Sequence, residues 1–178
     1  MSTVNPTNSS ILSLYQNRWS PKSYNADREL SDAEIAQLLE AARWAPSAFN
    51  EQPWRYLYAA RQDPGFQRLL DCLVPANAAW AADTSLLIAA FCTPEFKRNG
   101  RENRHARYDT GQASFALVTQ ATEMGLHARQ MAGFDPERAS ALTEENWEPV
   151  AFMAVGEAKG EAPAERQRMP LVDLAVRL

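Results

Sequence analysis

The sequence predicts an α+β fold in which helices surround a central β-sheet. Helical periodicity and short apolar runs typical of strands both occur, but they do not alternate regularly as in an α/β sandwich. The chain has 178 residues, of which 46% are hydrophobic and 22% charged, and neither a repeat nor a low-complexity linker divides it. We therefore expect a single domain that spans residues 1–178.

Helices are predicted near both ends and in the middle of the chain. Ser31 and Glu34 form a capping box that starts the clearest helix, and Pro46 requires this helix to end near Ala45. The predicted helices cover residues 8–17, 31–45, 63–73 and 108–125, and a short one opens at Asp135. In the helix at 108–125, the side chains expected to pack in the core are Phe115, Leu117, Val118, Ala121 and Met124.

Three short apolar runs have the length and composition of buried strands. They cover residues 54–59, 86–91 and 150–155. Residues 46–53 join the second helix to the first strand as an irregular loop bounded by Pro46 and Pro53. Cys72 and Cys92 lie among apolar neighbours, so both are predicted to be core thiols.

Composition and motif spacing argue against several classes of function. The net charge of -4 disfavours a nucleic-acid binder with a general basic surface, and the longest apolar run, residues 85–92, is too short to span a bilayer. Residues 1–10 lack the pattern of a secretory signal, so a cytoplasmic protein is expected. His105 and His127 lack metal-ligand spacing, and no metal site is predicted. The absence of GxGxxG, P-loop and GxSxG motifs favours a protein whose cofactor carries the chemistry.

A basic stretch rich in hydroxyl groups follows the first predicted helix. Residues 18–24 read Arg-Trp-Ser-Pro-Lys-Ser-Tyr. Arg18 offers a planar fork of donors, Lys22 a point charge and Ser20 a hydroxyl, a combination that suits a phosphate group. The alternative is a solvated surface loop, which an isolated motif of this kind forms more often.

The loop after the second helix carries another polar motif. Residues 44–55 read Trp-Ala-Pro-Ser-Ala-Phe-Asn-Glu-Gln-Pro-Trp-Arg. Two prolines stiffen the backbone around small residues, and Ser47, Asn50 and Gln52 are predicted to point outward. Such a rigid polar edge can match the alternating donors and acceptors along the pyrimidine ring of a flavin.

Together, the two motifs resemble the N-terminal signature of the nitroreductase family of FMN enzymes. The resemblance continues in residues 109–112 (Asp-Thr-Gly-Gln) and 130–135 (Gln-Met-Ala-Gly-Phe-Asp). It also includes residues 166–170 (Arg-Gln-Arg-Met-Pro), which are similar to the basic pair that closes the phosphate pocket in this family. The likeness covers nearly the whole chain and is most specific in the N-terminal half.

The resemblance implies cofactor-binding residues and no catalytic side chain. The residues that would hold the FMN phosphate and the polar edge of the ring from one subunit are Arg18, Trp19, Ser20, Lys22, Arg166 and Arg168. The partner subunit would contribute Pro46, Ser47, Ala48 and Asn50. Gln130, Ala132 and Gly133 would pass along the dimethylbenzene and N5 side of the ring, where glycine permits a close backbone approach.

The resemblance further implies an architecture and a reaction. The fold would be a mixed or antiparallel sheet wrapped by helices in an intertwined homodimer, with each FMN site at the subunit interface. FMN would take a hydride from NADH or NADPH at N5 and pass electrons to a small nitroaromatic or quinone, by ping-pong kinetics. Two alternatives stay open: a flavin-binding protein for storage or sensing without turnover, and a specialised enzyme that reduces a halogenated aromatic or acts on a heterocycle under biosynthesis.

A cluster of positive charge precedes the helix at 108–125. Its members are Lys97, Arg98, Arg101, Arg104 and Arg107. The cluster could attract a nicotinamide phosphate. The alternative is a solvated helical face on which Glu95 and Glu102 balance the charge.

Overall fold

The computed structural model describes residues 11–163 and 166–178. Its strands are β1 (Trp54–Ala60), β2 (Leu86–Cys92), β3 (His127–Met131) and β4 (Glu148–Gly156). Its helices are α1 (Ser13–Asn17), α2 (Asp32–Arg43), α3 (Gly65–Leu70), α4 (Pro75–Ala81), α5 (Ala106–Glu123), α6 (Pro136–Ser140) and α7 (Leu171–Leu174). None of these helices is long and apolar enough to cross a membrane. The part of the first predicted helix at residues 8–10, and the rest of the N-terminal segment at 1–10, lie outside the described residues.

The four strands form one sheet in the order β1-β2-β4-β3, and every neighbouring pair is antiparallel. This arrangement confirms the α+β prediction. All seven residues of β2 are buried, because β2 lies inside the sheet and helices cover both of its faces. The register between β2 and β4 shifts between Ala90 and Phe91, which marks a bulge at that end of the strands.

Two hydrophobic clusters pack on opposite faces of the sheet. Alternate side chains of β2 divide between them: Leu86 and Ile88 belong to one cluster, and Leu87 and Phe91 to the other. Helices α2 and α5 cover the first face, and helices α3, α4 and α6 contribute to the second. Cys72 and Cys92 are buried and unpaired, as predicted, and burial raises the pKa of both thiols.

Helix α2 begins as its capping box predicts. The Ser31 hydroxyl accepts a hydrogen bond from the Glu34 amide at 3.3 Å, and the Glu34 carboxylate accepts one from the Ser31 amide at 2.9 Å. The backbone hydrogen bond from Ser31 is the main reason why the pKa of Glu34 lies below its ordinary value. Ile35, Leu38 and Ala42 then lie on the buried side of the helix.

Several local predictions were wrong or incomplete. Helix α3 ends at Leu70 instead of Leu73, because the chain there pairs with a distant segment. Leu73 forms a bridge with Phe134, and the Asp135 amide donates to the Cys72 carbonyl at 2.8 Å. Phe115 was predicted to pack in the core but is 42% exposed. Helix α4 and strand β3 were not predicted at all.

The basic segment before α5 is a hairpin, and the predicted helical face was wrong. Glu95 bridges Glu102 in antiparallel fashion, and the Phe96 amide donates to the Arg101 carbonyl at 2.8 Å. Gly100 has a φ of +64°, which suits the tight turn at the tip. Arg107 lies beyond the hairpin, in α5, and forms an ion pair with Glu148.

A buried carboxylate at the start of α5 anchors the loop before β1. Asp109 is only 3% exposed, and its Oδ2 accepts a hydrogen bond from the Ala48 amide at 3.0 Å. A buried carboxylate is costly unless donors surround it, so this contact fixes the position of residue 48 relative to the helix. The first cluster of the core thus positions the polar loop.

Replacement of Asp109 should loosen that loop. D109A leaves the Ala48 amide without its acceptor, and we expect a loss of about 1–3 kcal/mol in the free energy of unfolding. The Ala48 amide should also exchange its hydrogen faster, as measured by NMR or mass spectrometry. D109N keeps an oxygen that can accept this hydrogen bond, and its loss should be smaller. Equal exchange at Ala48 in D109A and the unchanged protein would contradict the anchoring role.

Candidate functional site

The C-terminal tail returns to the end of α1 and brings positive charges together there. Arg166 donates through Nη1 to the Arg18 carbonyl and through Nη2 to the Gln16 carbonyl. Partial burial, followed by the charges of Arg166 and Arg168, lowers the pKa of Arg18. The guanidinium groups of Arg18, Arg166 and Arg168 therefore share one region, although Arg166 is 148 positions from Arg18 in the chain. Such a cluster of positive charges is suited to bind an anion.

Arg166 differs from Arg18 in what its guanidinium does. Both of its terminal nitrogens donate to main-chain carbonyls, so Arg166 holds the tail against α1 and adds positive charge to the site. Arg18 instead donates from Nη1 to the Ser20 hydroxyl at 3.1 Å. The structure thus brings together four of the predicted residues: Arg18, Ser20, Arg166 and Arg168.

A fourth arginine borders this region, and the sequence reasoning missed it. Arg129 on β3 donates to the Ser20 carbonyl at 2.7 Å. Its guanidinium carbon lies 5.7 Å from the centre of the Trp80 ring, and Trp80 stacks on the buried Tyr24. Arg129 immediately precedes the motif at 130–135, and that neighbourhood was the available signal.

The other residues of the basic stretch have different surroundings. Trp19 is half-buried and makes an edge contact with His127, with ring centres 5.4 Å apart. Burial lowers the pKa of His127, so its neutral form is favoured against Trp19. Lys22 is exposed. Trp19 therefore packs the stretch against β3, while Lys22 adds an exposed positive charge to it.

The loop before β1 holds an unusual backbone conformation. Phe49, Asn50 and Gln52 have φ angles of 55°, 55° and 51°, in the left-handed region. Asparagine tolerates this region, whereas phenylalanine and glutamine pay a steric cost there. Hydrogen bonds around the loop offset that cost, and strain maintained in this way is typical of functional segments. Pro46 and Asn50 are exposed at its surface, and Ala48 is half-buried.

The orientation predicted for Ser47 and Gln52 was wrong. The Ser47 hydroxyl accepts from the Gln52 amide at 2.9 Å, so it closes the loop from inside. The Gln52 side chain donates to the Asn50 carbonyl at 3.1 Å and is also turned toward the loop. A left-handed backbone leaves these main-chain groups without a regular partner, and the side chains supply one. Asn50 remains the exposed amide of the motif.

The two motifs lie at opposite edges of the sheet. The polar loop leads directly into Trp54 at the start of β1, whereas Arg129, which contacts Ser20, belongs to β3. Three strand spacings separate these edge strands, a distance of about 14 Å. Within one chain, the loop and the basic stretch therefore face different regions.

The third predicted segment lies at the end of β3. Gln130 and Ala132 are exposed, and Gly133 is half-buried. The Gly133 carbonyl accepts from the Asn77 side chain at 3.0 Å, and a Cβ at Gly133 would lie 2.7 Å from Asn77 Nδ2. Any larger residue here would have to displace the Asn77 side chain, so glycine permits close packing against α4 within the chain. This reason differs from the one that the resemblance implied.

The sequence of the chain is similar to those of known proteins. The model of the Nitroreductase family matches residues 15–75, which include both motifs. A Streptomyces coelicolor protein, provisionally named NADH dehydrogenase/NAD(P)H nitroreductase, is 29% identical over 168 residues, covering 82% of this chain and 81% of that protein. The 5,6-dimethylbenzimidazole synthase of Rhodospirillum rubrum is 27% identical over 179 residues, covering 84% of this chain and 82% of the synthase.

The fold has close counterparts among solved structures. The crystal structure of an oxidoreductase containing FMN superposes with a TM-score of 0.88 and 26% identity, over 99% of this chain and 96% of that one. A nitroreductase family protein from Streptococcus pneumoniae has a TM-score of 0.82 at 17% identity, over 93% and 98% of the two chains, and shows the shared fold. Sequence, motifs and architecture agree, and the chain belongs to the nitroreductase family.

Proposed function

We propose that this chain is an FMN-dependent oxidoreductase that transfers electrons from NADH or NADPH to a small nitroaromatic or quinone acceptor. The observation that carries the proposal is the cluster of Arg18, Arg166 and Arg168 beside Ser20. A phosphate monoester carries up to two negative charges and accepts several hydrogen bonds, so it matches this donor set. The residues of the cluster therefore fit the phosphate of FMN.

The chain's residues bind and orient the cofactor in this proposal. FMN, when bound, supplies the redox chemistry by accepting a hydride from the reduced nicotinamide and passing electrons to the acceptor. Arg18, Ser20, Lys22 and Arg168 hold the phosphate, and Arg166 keeps the tail in place. Pro46, Ser47, Ala48 and Asn50 form the loop that grips the ring, and Asn50 offers its exposed amide. Gln130, Ala132 and Gly133 border the opposite end of the ring, and Trp19 supports the phosphate side.

We further propose that the active form is a homodimer in which each site is shared. The separation of the two motifs across the sheet supports this arrangement, because a second chain can bring its loop to the cations of the first. Exposed apolar side chains also support it, since large apolar patches are rare on monomers. They lie in and just before α1, on α5 and along the C-terminal tail: Leu12, Tyr15, Tyr108, Phe115, Leu171, Val172, Leu174 and Val176.

A second candidate is a specialised enzyme that acts on a heterocycle. The similarity to the 5,6-dimethylbenzimidazole synthase of Rhodospirillum rubrum favours this alternative over other family chemistries. It would use the same FMN site and differ in the second substrate. A panel of quinones, nitroaromatics and heterocycles tested on one preparation separates the two candidates.

Reduction by the nicotinamide tests the enzyme proposal directly. Purified protein should contain FMN or take it up when added, and anaerobic NADH or NADPH should bleach its visible absorbance rapidly in a stopped-flow instrument. Purified protein that neither contains FMN nor binds added FMN would refute the cofactor assignment. FMN that binds but is reduced no faster than free FMN would favour a storage or sensing role.

Charge reversal tests the phosphate site. R18E/R168E removes two contacts to a charged group, each worth about 1.5–3 kcal/mol, so FMN affinity should fall by at least about 100-fold. Isothermal titration calorimetry or quenching of flavin fluorescence gives the Kd. R68E/R104E is the matched control, because it makes the same change in net charge at two exposed arginines away from the cluster. Equal FMN affinity in both variants and the unchanged protein would contradict the roles of Arg18 and Arg168.

Mixed dimers test whether each site is shared. N50G removes the exposed amide of the loop and keeps the left-handed backbone, so FMN binding should weaken. A heterodimer of one N50G chain and one R18E/R168E chain would contain one site with native cations and a native loop. We expect one FMN per heterodimer, bound with the affinity of the unchanged protein.

Sites built within one chain would give a different titration. Every site of the heterodimer would then carry one of the two changes, and no FMN would bind with native affinity. Differently tagged chains, copurified after refolding or coexpression, supply the heterodimer. Each homodimer, measured in parallel, gives the affinity of a singly changed site.

A further inference from the structure

The basic hairpin at residues 95–102 packs directly against the polar loop. The Lys97 amide donates to Glu51 Oε1 at 2.8 Å, and the rings of Phe96 and Phe49 meet edge to face with centres 5.9 Å apart. Arg98 lies over both rings, with its guanidinium carbon 4.1 Å from the centre of Phe49. The hairpin and the loop therefore form one surface, although more than 40 residues separate them in the chain.

A cavity of about 490 Å³ opens between the hairpin and the loop. Asn50 and Gln52 line one side, and the charged residues on its wall are Arg55, Lys97, Arg98 and Glu51. Three positive charges thus face one negative charge, in a chain whose overall charge is -4. The excess of cations along this open groove attracts anions to it.

Two of the three cationic side chains of the cavity, Arg55 and Arg98, are held in place. Arg55 donates from Nη1 to the carbonyls of Gln52 and Trp54, at 3.0 and 2.6 Å, which orients its guanidinium on the wall. Arg98 rests on the faces of Phe49 and Phe96, where the attraction between a cation and an aromatic face limits its freedom. A guanidinium stacked in this way keeps its edge donors for a planar oxyanion. Phe49 itself is 74% exposed and offers an apolar surface beside the charges.

We propose that Arg98, with Lys97 and Arg55, forms a subsite for the oxyanion of a substrate that carries a planar ring. The inference rests on the proposed function, because Asn50 lines both this cavity and the loop assigned to the flavin ring. A phosphate of the nicotinamide dinucleotide and a carboxylate of an aromatic acceptor share the required chemistry. The ring of either molecule would meet the flavin while its anionic group lies in the cavity.

Ping-pong kinetics allow the two sources to be tested separately, since donor and acceptor each have their own kcat/KM. R98A and R98E are compared with the unchanged protein for NADPH, NADH and two nitroaromatic acceptors, one carboxylated and one neutral. The Kd of NADP⁺ and NAD⁺ for the FMN-loaded protein is measured by calorimetry without turnover. R104A is the control, because Arg104 is an exposed arginine of the same segment that does not line the cavity.

We expect R98A to weaken the binding of the anionic partner about 10-fold and R98E to weaken it more strongly. R98K should retain most of the affinity. An effect on both dinucleotides assigns the subsite to the pyrophosphate, and an effect on NADP⁺ alone assigns it to the 2′-phosphate. An effect confined to the carboxylated acceptor assigns it to that carboxylate. The affected constant should also depend less on salt in R98A than in the unchanged protein.

The experiments distinguish a wrong subsite proposal from a wrong proposed function. If FMN binds and is reduced normally but R98A and R98E change none of these constants, the subsite is overturned and the oxidoreductase proposal stands. If FMN is neither bound nor reduced by the unchanged protein, the proposed function fails first. Circular dichroism of each variant confirms that the fold is retained.

Discussion

The return of the C-terminal tail to α1 is the contact on which the candidate site depends. Arg166 uses main-chain carbonyls near the end of α1 as acceptors, so its position follows from the backbone and needs no acidic partner. Guanidinium groups gathered in this way repel one another, and the pKa of Arg18 is lowered first by partial burial and then by that repulsion. The energy of folding holds the charges together before any ligand arrives. An anion then gains their attraction without first having to order them.

In the polar loop, folding energy likewise maintains an unfavourable arrangement, which here is a strained backbone. Left-handed residues at 49, 50 and 52 cost conformational energy, and they persist because Asp109, Ser47 and Gln52 satisfy the amides and carbonyls that the unusual backbone leaves over. Asp109 is the connection to the core, since α5 is buried against the sheet. The loop is consequently tied to a buried helix by a hydrogen bond, although none of the residues at 46–53 belongs to a strand.

Local signals predicted the parts of the fold that are determined locally. The capping box of α2, the proline that ends it and the apolar run of β2 each depend on neighbours within a few residues. Strand β3 was missed because it is an edge strand in which Arg129 and Gln130 interrupt the apolar pattern. Helix α3 was predicted too long because its end depends on pairing with residues 133–135, about 60 positions away. For the site, residue types indicated Arg18, and the family resemblance indicated Arg168. The contact of Arg129 with Ser20 spans 109 positions, and its only signal was the position of Arg129 next to the motif at 130–135.

The sheet topology explains why the positive charges of an acidic chain occupy two separate places. The tail and α1 collect one group near the β3 edge, and the hairpin before α5 collects another beside the loop at the β1 edge. Within a single chain, the two groups lie at different edges of the sheet. In the proposed dimer, the loop of one subunit carries its neighbouring hairpin to the cations of the other. One site would then present two positive ends, one for the phosphate of the cofactor and one for an anionic substrate, with the ring chemistry between them.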